Sequence, residues 1–231
     1  MGQLFDRLAQ DYRVKTGLKA CMNCGVCVAV CPAAEFYKYS PKEIVNIVQR
    51  KDDKELEQLL KSDTIWYCGE CMSCMTRCPR QNSPGMLIMA LRSLSIDTGF
   101  FMHSEKGRQQ YCVIKNMYTN ILNYGYCVYP RTFEYKKHPE NGLIGKWISE
   151  NLEEVHERLG SNLDGEGNGG LRKIPETSLD ELKRIFDVTS ASERIEKVTM
   201  LAKNKADELG MTLEEYEEMV FTTDSGEHIN R

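Results

Sequence analysis

The sequence predicts a mostly α-helical protein. Across its 231 residues no stretch sustains the apolar–polar alternation of a half-buried strand. Apolar residues recur instead at three- and four-residue spacing behind helix-opening signals. A dense cysteine pattern also occurs twice, and each copy is followed by a proline-opened helix, at Pro41 and at Pro84. The repeated unit is thus a loop and a helix.

In chain order, residues 3–17 are expected to form a short amphipathic helix with Leu4, Phe5, Leu8 and Tyr12 on one face. The first cysteine loop follows. Ser40-Pro41-Lys42-Glu43 is a capping box with proline at the first helical position, and Ile44, Ile47 and Val48 continue it as a stripe. A second short helix is expected near 53–62, apolar at Leu56, Leu59 and Leu60. Trp66 and Tyr67 lead into the second loop. After it, Met86, Leu87, Met89, Ala90, Leu91 and Leu94 mark a buried helix. Residues 105–124 predict another, with Tyr111, Ile114, Met117, Tyr118, Ile121 and Leu122 inward. Residues 142–159 predict a further one, centred on Ile144, Trp147, Ile148, Leu152 and Val155. Residues 160–170, GSNLDGEGNGG, form a flexible glycine-rich linker. Charged helices are expected near 178–187, 191–209 and 212–221, the last opened by the Thr212–Glu215 capping box after a stop at Gly210. This divides the chain into a two-loop domain (1–159), the linker (160–170) and a helical extension (171–231). The extension's thin apolar stripes suggest that it docks on a partner.

The cysteines carry the chemistry. Eight of the ten lie in two copies of Cys-x2-Cys-x2-Cys-x3-Cys-Pro: Cys21, Cys24, Cys27, Cys31 and Pro32, then Cys68, Cys71, Cys74, Cys78 and Pro79. This run is the bacterial pattern for [4Fe–4S] ligation, in which the fourth cysteine serves the other cluster. It predicts two [4Fe–4S] clusters, one on Cys21, Cys24, Cys27 and Cys78, the other on Cys68, Cys71, Cys74 and Cys31. Gly25 and Gly69 allow backbone to pass close to inorganic sulfide. Pro32 and Pro79 end each loop without an N–H to satisfy. Val26, Val28, Ala29 and Val30 are expected to wall the first cluster, and Met72 and Met75 the second. Structural zinc uses separated Cys-x2-Cys pairs rather than triplets with a fourth Cys-Pro. A disulfide framework fits poorly with a long acidic chain that shows no secretory signal.

Composition narrows the function classes. The formal charge is −4, and each oxidised cubane with four thiolates adds about −2. With no basic stripe, nucleic acid is not an expected partner. Mean hydropathy is −0.47, and no apolar run is long enough for a transmembrane segment, although peripheral membrane association stays open. Free thiolates call for a reducing compartment, so a cytoplasmic location is expected. Cys112 and Cys127 read as small core side chains. His103, His138, His156 and His228 share no ligand spacing and read as surface residues. The tyrosines between 111 and 135 read as core or interface packing. The glycine-rich stretch lacks a Gly-Lys-Ser/Thr ending, and no GxGxxG occurs. No catalytic residue is visible, so the chain is expected to be a non-catalytic part of an oxidoreductase assembly.

The segments ACMNCGVCVAVCP and WYCGECMSCMTRCP, in a helical setting, resemble the C-type subunits of heterodisulfide reductases, which are α-helical ferredoxins. The likeness covers roughly residues 1–125. It implies a relay through two [4Fe–4S] clusters between a FAD-containing A-type subunit and a catalytic B-type subunit with CCG motifs. This chain has no CCG motif, which sets it apart from proteins that fuse the C-type and B-type parts. With 20 residues before Cys21, the [2Fe–2S] domain of succinate dehydrogenase iron–sulfur subunits is not expected. The length beyond residue 125, with YCVYPRTFEYKKHPENG, is similar to C-type subunits of the bacterial heterodisulfide-reductase-like complex of sulfur oxidation. That likeness implies electrons from sulfane sulfur, with a lipoate-binding carrier protein upstream. Two alternatives stand beside it: an iron–sulfur subunit of a membrane-linked quinone oxidoreductase or other flavin dehydrogenase, and a structural or sensing module.

Overall fold

The computed structural model describes residues 2–135, 138 and 141–223. It is helical, with no β-strand among the described residues. The chain divides into two compact units, residues 2–110 with Thr223, and residues 111–222.

The first unit opens with α1 (Gln3–Gln10) and α2 (Tyr12–Gly17). The single helix expected over 3–17 is broken at Asp11, whose backbone is extended. Its carboxylate accepts from Arg13 N at 2.8 Å and pairs with the Arg13 guanidinium at 2.6 Å, so the side chain caps a new helix. The start of α1 has no cap of its own. Asp53 supplies one from a distance, accepting from Leu4 N at 3.0 Å and Phe5 N at 3.1 Å.

Next come α3 (Val26–Ala29), α4 (Ala33–Phe36), α5 (Pro41–Arg50) and α6 (Asp53–Leu60). The expected cap of α5 is present: Glu43 N donates to Ser40 Oγ at 3.2 Å, with Pro41 at the first position. Asp52 caps α6 through Lys54 N and Glu55 N, and these bonds hold its carboxyl below the ordinary carboxylate range. A 3-10 turn (Asp63–Tyr67) leads to α7 (Ser73–Thr76) and α8 (Pro84–Thr98). Leu87, Ile88, Ala90, Leu91, Leu94 and Ser95 make α8 buried over most of its circumference, and α2, α5 and α6 pack on it. The one polar residue in that run, Ser95, donates to Leu60 O at 2.7 Å. Leu8, Ile44, Val48, Leu56, Leu60 and Ile65 complete the core. Burying each large aliphatic side chain contributes about 1.5–3 kcal/mol. After a second 3-10 turn (Phe100–His103), α9 (Glu105–Tyr124) begins, and the division between units falls within it.

The second unit contains the rest of α9, then α10 (Gly142–Glu150), α11 (Leu152–Arg158), α12 (Glu176–Val188), α13 (Ala191–Leu209) and α14 (Leu213–Thr222). The helix expected over 142–159 breaks at Asn151, whose amide donates to Trp147 O at 2.8 Å. Its expected central residues are not buried: Ile144 is 70% exposed, with Trp147 and Ile148 also exposed. Tyr111, Cys112, Val198, Ala202, Ala206, Tyr216 and Val220 form a small core. Glu217 joins α14 to α9, accepting from Tyr111 Oη at 2.9 Å and pairing with Lys115 at 2.5 Å. Met117, expected inward on α9, is exposed. The glycine-rich stretch 160–170 lies inside this unit and closes on itself, with Asn162 N donating to Gly170 O at 2.9 Å and Asp164 N to Leu171 O at 3.0 Å. The Thr212–Glu215 capping box is formed in both directions, and Gly210 stops α13 at φ +70°.

Candidate iron–sulfur site

The two cysteine loops fold alike, residue for residue. Asn23 and Glu70, each two places after the first cysteine of its loop, take left-handed conformations with φ of 58° and 53°. Each backbone N–H then reaches back to that first thiol at 3.4 Å: Asn23 N to Cys21 Sγ, and Glu70 N to Cys68 Sγ. Gly25 and Met72, each following the second cysteine, are again left-handed, with φ of 79° and 59°. One helical turn follows each, α3 with Cys27 and α7 with Cys74, and the chain leaves through Cys31-Pro32 or Cys78-Pro79. The left-handed conformation costs a non-glycine residue roughly 1–2 kcal/mol, so Asn23, Glu70 and Met72 hold strain that sharpens the loops.

α3 packs against α7, which brings the loops side by side. Two cavities lie there. The first, with about 400 Å³ of empty space including open solvent, is lined by Cys21, Cys24, Cys27 and Cys78. Gly25, Val26, Val45, Pro79 and Pro84 wall it, with Lys42 and Arg80 also in the lining. The second, of about 360 Å³, is lined by Cys31, Cys68, Cys71 and Cys74, with Pro32, Tyr39, Met72, Gly85 and Ile88. Each loop thus lends its fourth cysteine and its proline to the other loop's cavity. The expected wall is only partly present: Val26 and Met72 line cavities, whereas Val28, Ala29, Val30 and Met75 do not. Val45, Ile88 and Tyr39, from outside the loops, take their place.

The thiols ring open space. Among the described residues no three His, Cys, Asp or Glu side chains converge as a single-ion site. Four thiols spread around a mostly apolar cavity suit a cube with four metal corners. Burial, then neighbouring Cys21 and Cys74, pushes the Cys27 thiol up to about 11. Burial likewise raises Cys31 and Cys74. Cys71 is lowered by its bond with the Ser73 hydroxyl, 3.4 Å away.

Arg92 carries no signal in the sequence, yet it braces the site. Its Nε donates to Ile65 O at 2.8 Å, Nη2 to Cys68 O at 2.6 Å and Nη1 to Glu70 Oε1 at 2.7 Å, with the guanidinium 5.4 Å from the Trp66 ring centroid. It locks the entry to the second loop. Of the two remaining cysteines, Cys112 is buried as expected. Cys127 is exposed and lines a separate cavity with Met117 and Phe133. His103 is exposed, His138 and His156 are half-buried, and His228 lies outside the described residues.

Residues 17–82 match the family of 4Fe–4S dicluster domains. The dicluster domain holds all eight motif cysteines and binds two [4Fe–4S] clusters. Over 83 residues the chain is 46% identical to the C-type subunit of the ferredoxin:CoB-CoM heterodisulfide reductase of Methanosarcina acetivorans, covering 36% of this chain and 32% of that protein. It is 35% identical over 82 residues to a C-type iron–sulfur subunit of the CoB–CoM heterodisulfide reductase of Methanocaldococcus jannaschii (36% and 42%). It is 37% identical over 79 residues to a protein of Archaeoglobus profundus that is itself described as like the heterodisulfide reductase C-type subunit (33% and 40%). The chain spans about a third to two-fifths of the length of these relatives. The resemblance to the heterodisulfide reductase C-type subunits therefore rests on the dicluster domain. No helix among the described residues is long and apolar enough to cross a membrane.

Proposed function

We propose that the chain is the electron-relay subunit of a heterodisulfide-reductase-like complex. Cys21, Cys24, Cys27 and Cys78 hold one cluster, and Cys68, Cys71, Cys74 and Cys31 the other. The observation that carries this is the exchange of the fourth cysteine between two adjacent cavities, which gives each cavity four thiols from both loops. When bound, the clusters supply one-electron transfer. The residues do the rest. Cysteine thiols give up their protons to metal on loading, Val26, Val45, Ile88 and Tyr39 exclude water, and the Asn23 and Glu70 N–H groups face the ligand sulfurs.

The proposed partners are a CCG-motif B-type subunit and a FAD-containing A-type subunit, in the cytoplasm; the support for partner subunits is that the relatives are named as subunits of heterodisulfide reductases. A sulfur-oxidising role, with a lipoate-binding protein upstream, is the finer reading and draws on the segment beyond residue 125. Residues 171–231 are the part that docks, a role supported by exposed Ile185, Val188, Met200 and Leu209. An anaerobic pull-down of the tagged chain from its host tests this. Recovery of a flavoprotein and a CCG-motif subunit is expected. Recovery of a membrane cytochrome in their place would overturn the assignment.

A further inference from the structure

We propose that the Tyr39 hydroxyl donates a hydrogen bond to the Cys68 thiolate of the second cluster and raises that cluster's reduction potential alone. The inference rests on the ligand assignment just given. Tyr39 is 5% exposed, and its hydroxyl makes no fully formed hydrogen bond among the described residues, with the Cys68 thiol as the polar group it faces. A phenol buried in this way is costly unless something accepts its proton. The side chain lines the second cavity beside Cys31 and Cys68, and these two thiols are its electrostatic neighbours.

The ring is held in place. It meets Tyr67 edge-on at 6.3 Å and 85°, and Tyr67 stacks on Tyr37 at 4.4 Å. Phenylalanine would fill the same volume, so the hydroxyl is the feature that needs a reason. A thiolate bound to a cluster is an acceptor that supplies one. The other hydroxyl in this lining, Ser73, is already paired with Cys71. The first cavity has no hydroxyl among its lining residues.

The direction of the effect follows from charge. Reduction adds one electron to a cluster that is already anionic, and the proton stays on the Tyr39 oxygen. A donor aimed at a ligand sulfur stabilises the reduced form more than the oxidised one, so the potential rises.

The test is Tyr39→Phe in the full chain, reconstituted anaerobically and followed by EPR-monitored redox titration. Both clusters should assemble. One should become harder to reduce by about tenfold in its equilibrium, which is about 59 mV for a one-electron couple. The cluster that moves should be the one lost in Cys68→Ala and retained in Cys78→Ala. Replacing Tyr39 with a ring-fluorinated tyrosine keeps the shape and strengthens the donor, and should move the same potential upward. Two intact clusters with unchanged potentials, or a shift in the other cluster, would overturn the proposal. If Tyr39→Phe does not assemble, the absence of an upward shift in the fluorinated protein overturns it instead. Should Cys68→Ala and Cys78→Ala lose the same cluster, the ligand assignment fails, which is a separate result.

Discussion

Replacing Arg92 with methionine should loosen the second loop more than the first. Arg92 is largely buried, its side chain 13% exposed, and three of its N–H groups are committed. Methionine keeps much of the stem's volume but leaves Ile65 O and Cys68 O without donors. Ile65 is fully buried, so its carbonyl cannot recover the bond from water. A hydrogen bond from a charged donor is worth about 1.5 kcal/mol at the low end, which gives about 3 kcal/mol for the two carbonyls. The ion pair with Glu70 adds little, because that partner is 41% exposed and an open pair contributes at most about 1 kcal/mol. A loss of about 3 kcal/mol lowers the melting temperature of a unit this size by roughly 10–20 °C. Anaerobic thermal unfolding of the loaded chain measures it, and iron release on mild warming should come first from the cluster that Cys68→Ala removes. A variant that melts with the wild type and releases both clusters together would refute the role given to Arg92.

Other expectations follow from the same packing. A Cβ at Gly107 would stand 2.7 Å from Phe101 O and 3.0 Å from Trp66 Nε1, so Gly107→Ala should destabilise the first unit by about 1–3 kcal/mol despite better helix propensity. Chemical denaturation checks this, and a neutral or stabilising result would show that the turn gives way. The cluster-free chain should lose stability as pH rises from 9.0 towards 11. The folded Cys27 thiol ionises later than the unfolded one, so the folded state holds the extra proton in that window and its advantage is gone above it. A rise to about 11 caps the effect at about 2.7 kcal/mol, and half-burial cuts it to about 1 kcal/mol. Cys31 and Cys74, also raised by burial, add in the same direction. Denaturation midpoints that are flat across the window would contradict this.

Much of the site was legible because metal ligation constrains spacing along the chain. The two cysteine runs and their prolines all sit within short stretches of sequence. The helix at Pro41 was legible for the same reason, since a cap and its stripe are local. What escaped depends on partners far away in sequence. Arg92 acts on a loop more than twenty residues before it. Asp53 caps a helix almost fifty residues earlier. Nothing local marks Tyr39 as a wall of the second cavity. The left-handed Glu70 and Met72 escaped because neither residue type prefers that conformation, and only the fold of the loop demands it. The apolar stripe on α10 misled because periodicity reveals an apolar face and not what covers it.

The central claim is that each cluster draws ligands from both loops, and Cys78→Ala tests it most directly. Iron analysis and EPR of the anaerobically reconstituted variant should show one remaining cluster. Its spectrum should match that of Cys21→Ala and differ from that of Cys68→Ala, although Cys78 is closer in sequence to Cys68. A spectrum that instead matches Cys68→Ala would mean that each loop holds its own cluster, contradicting the exchange of fourth cysteines between the two cavities.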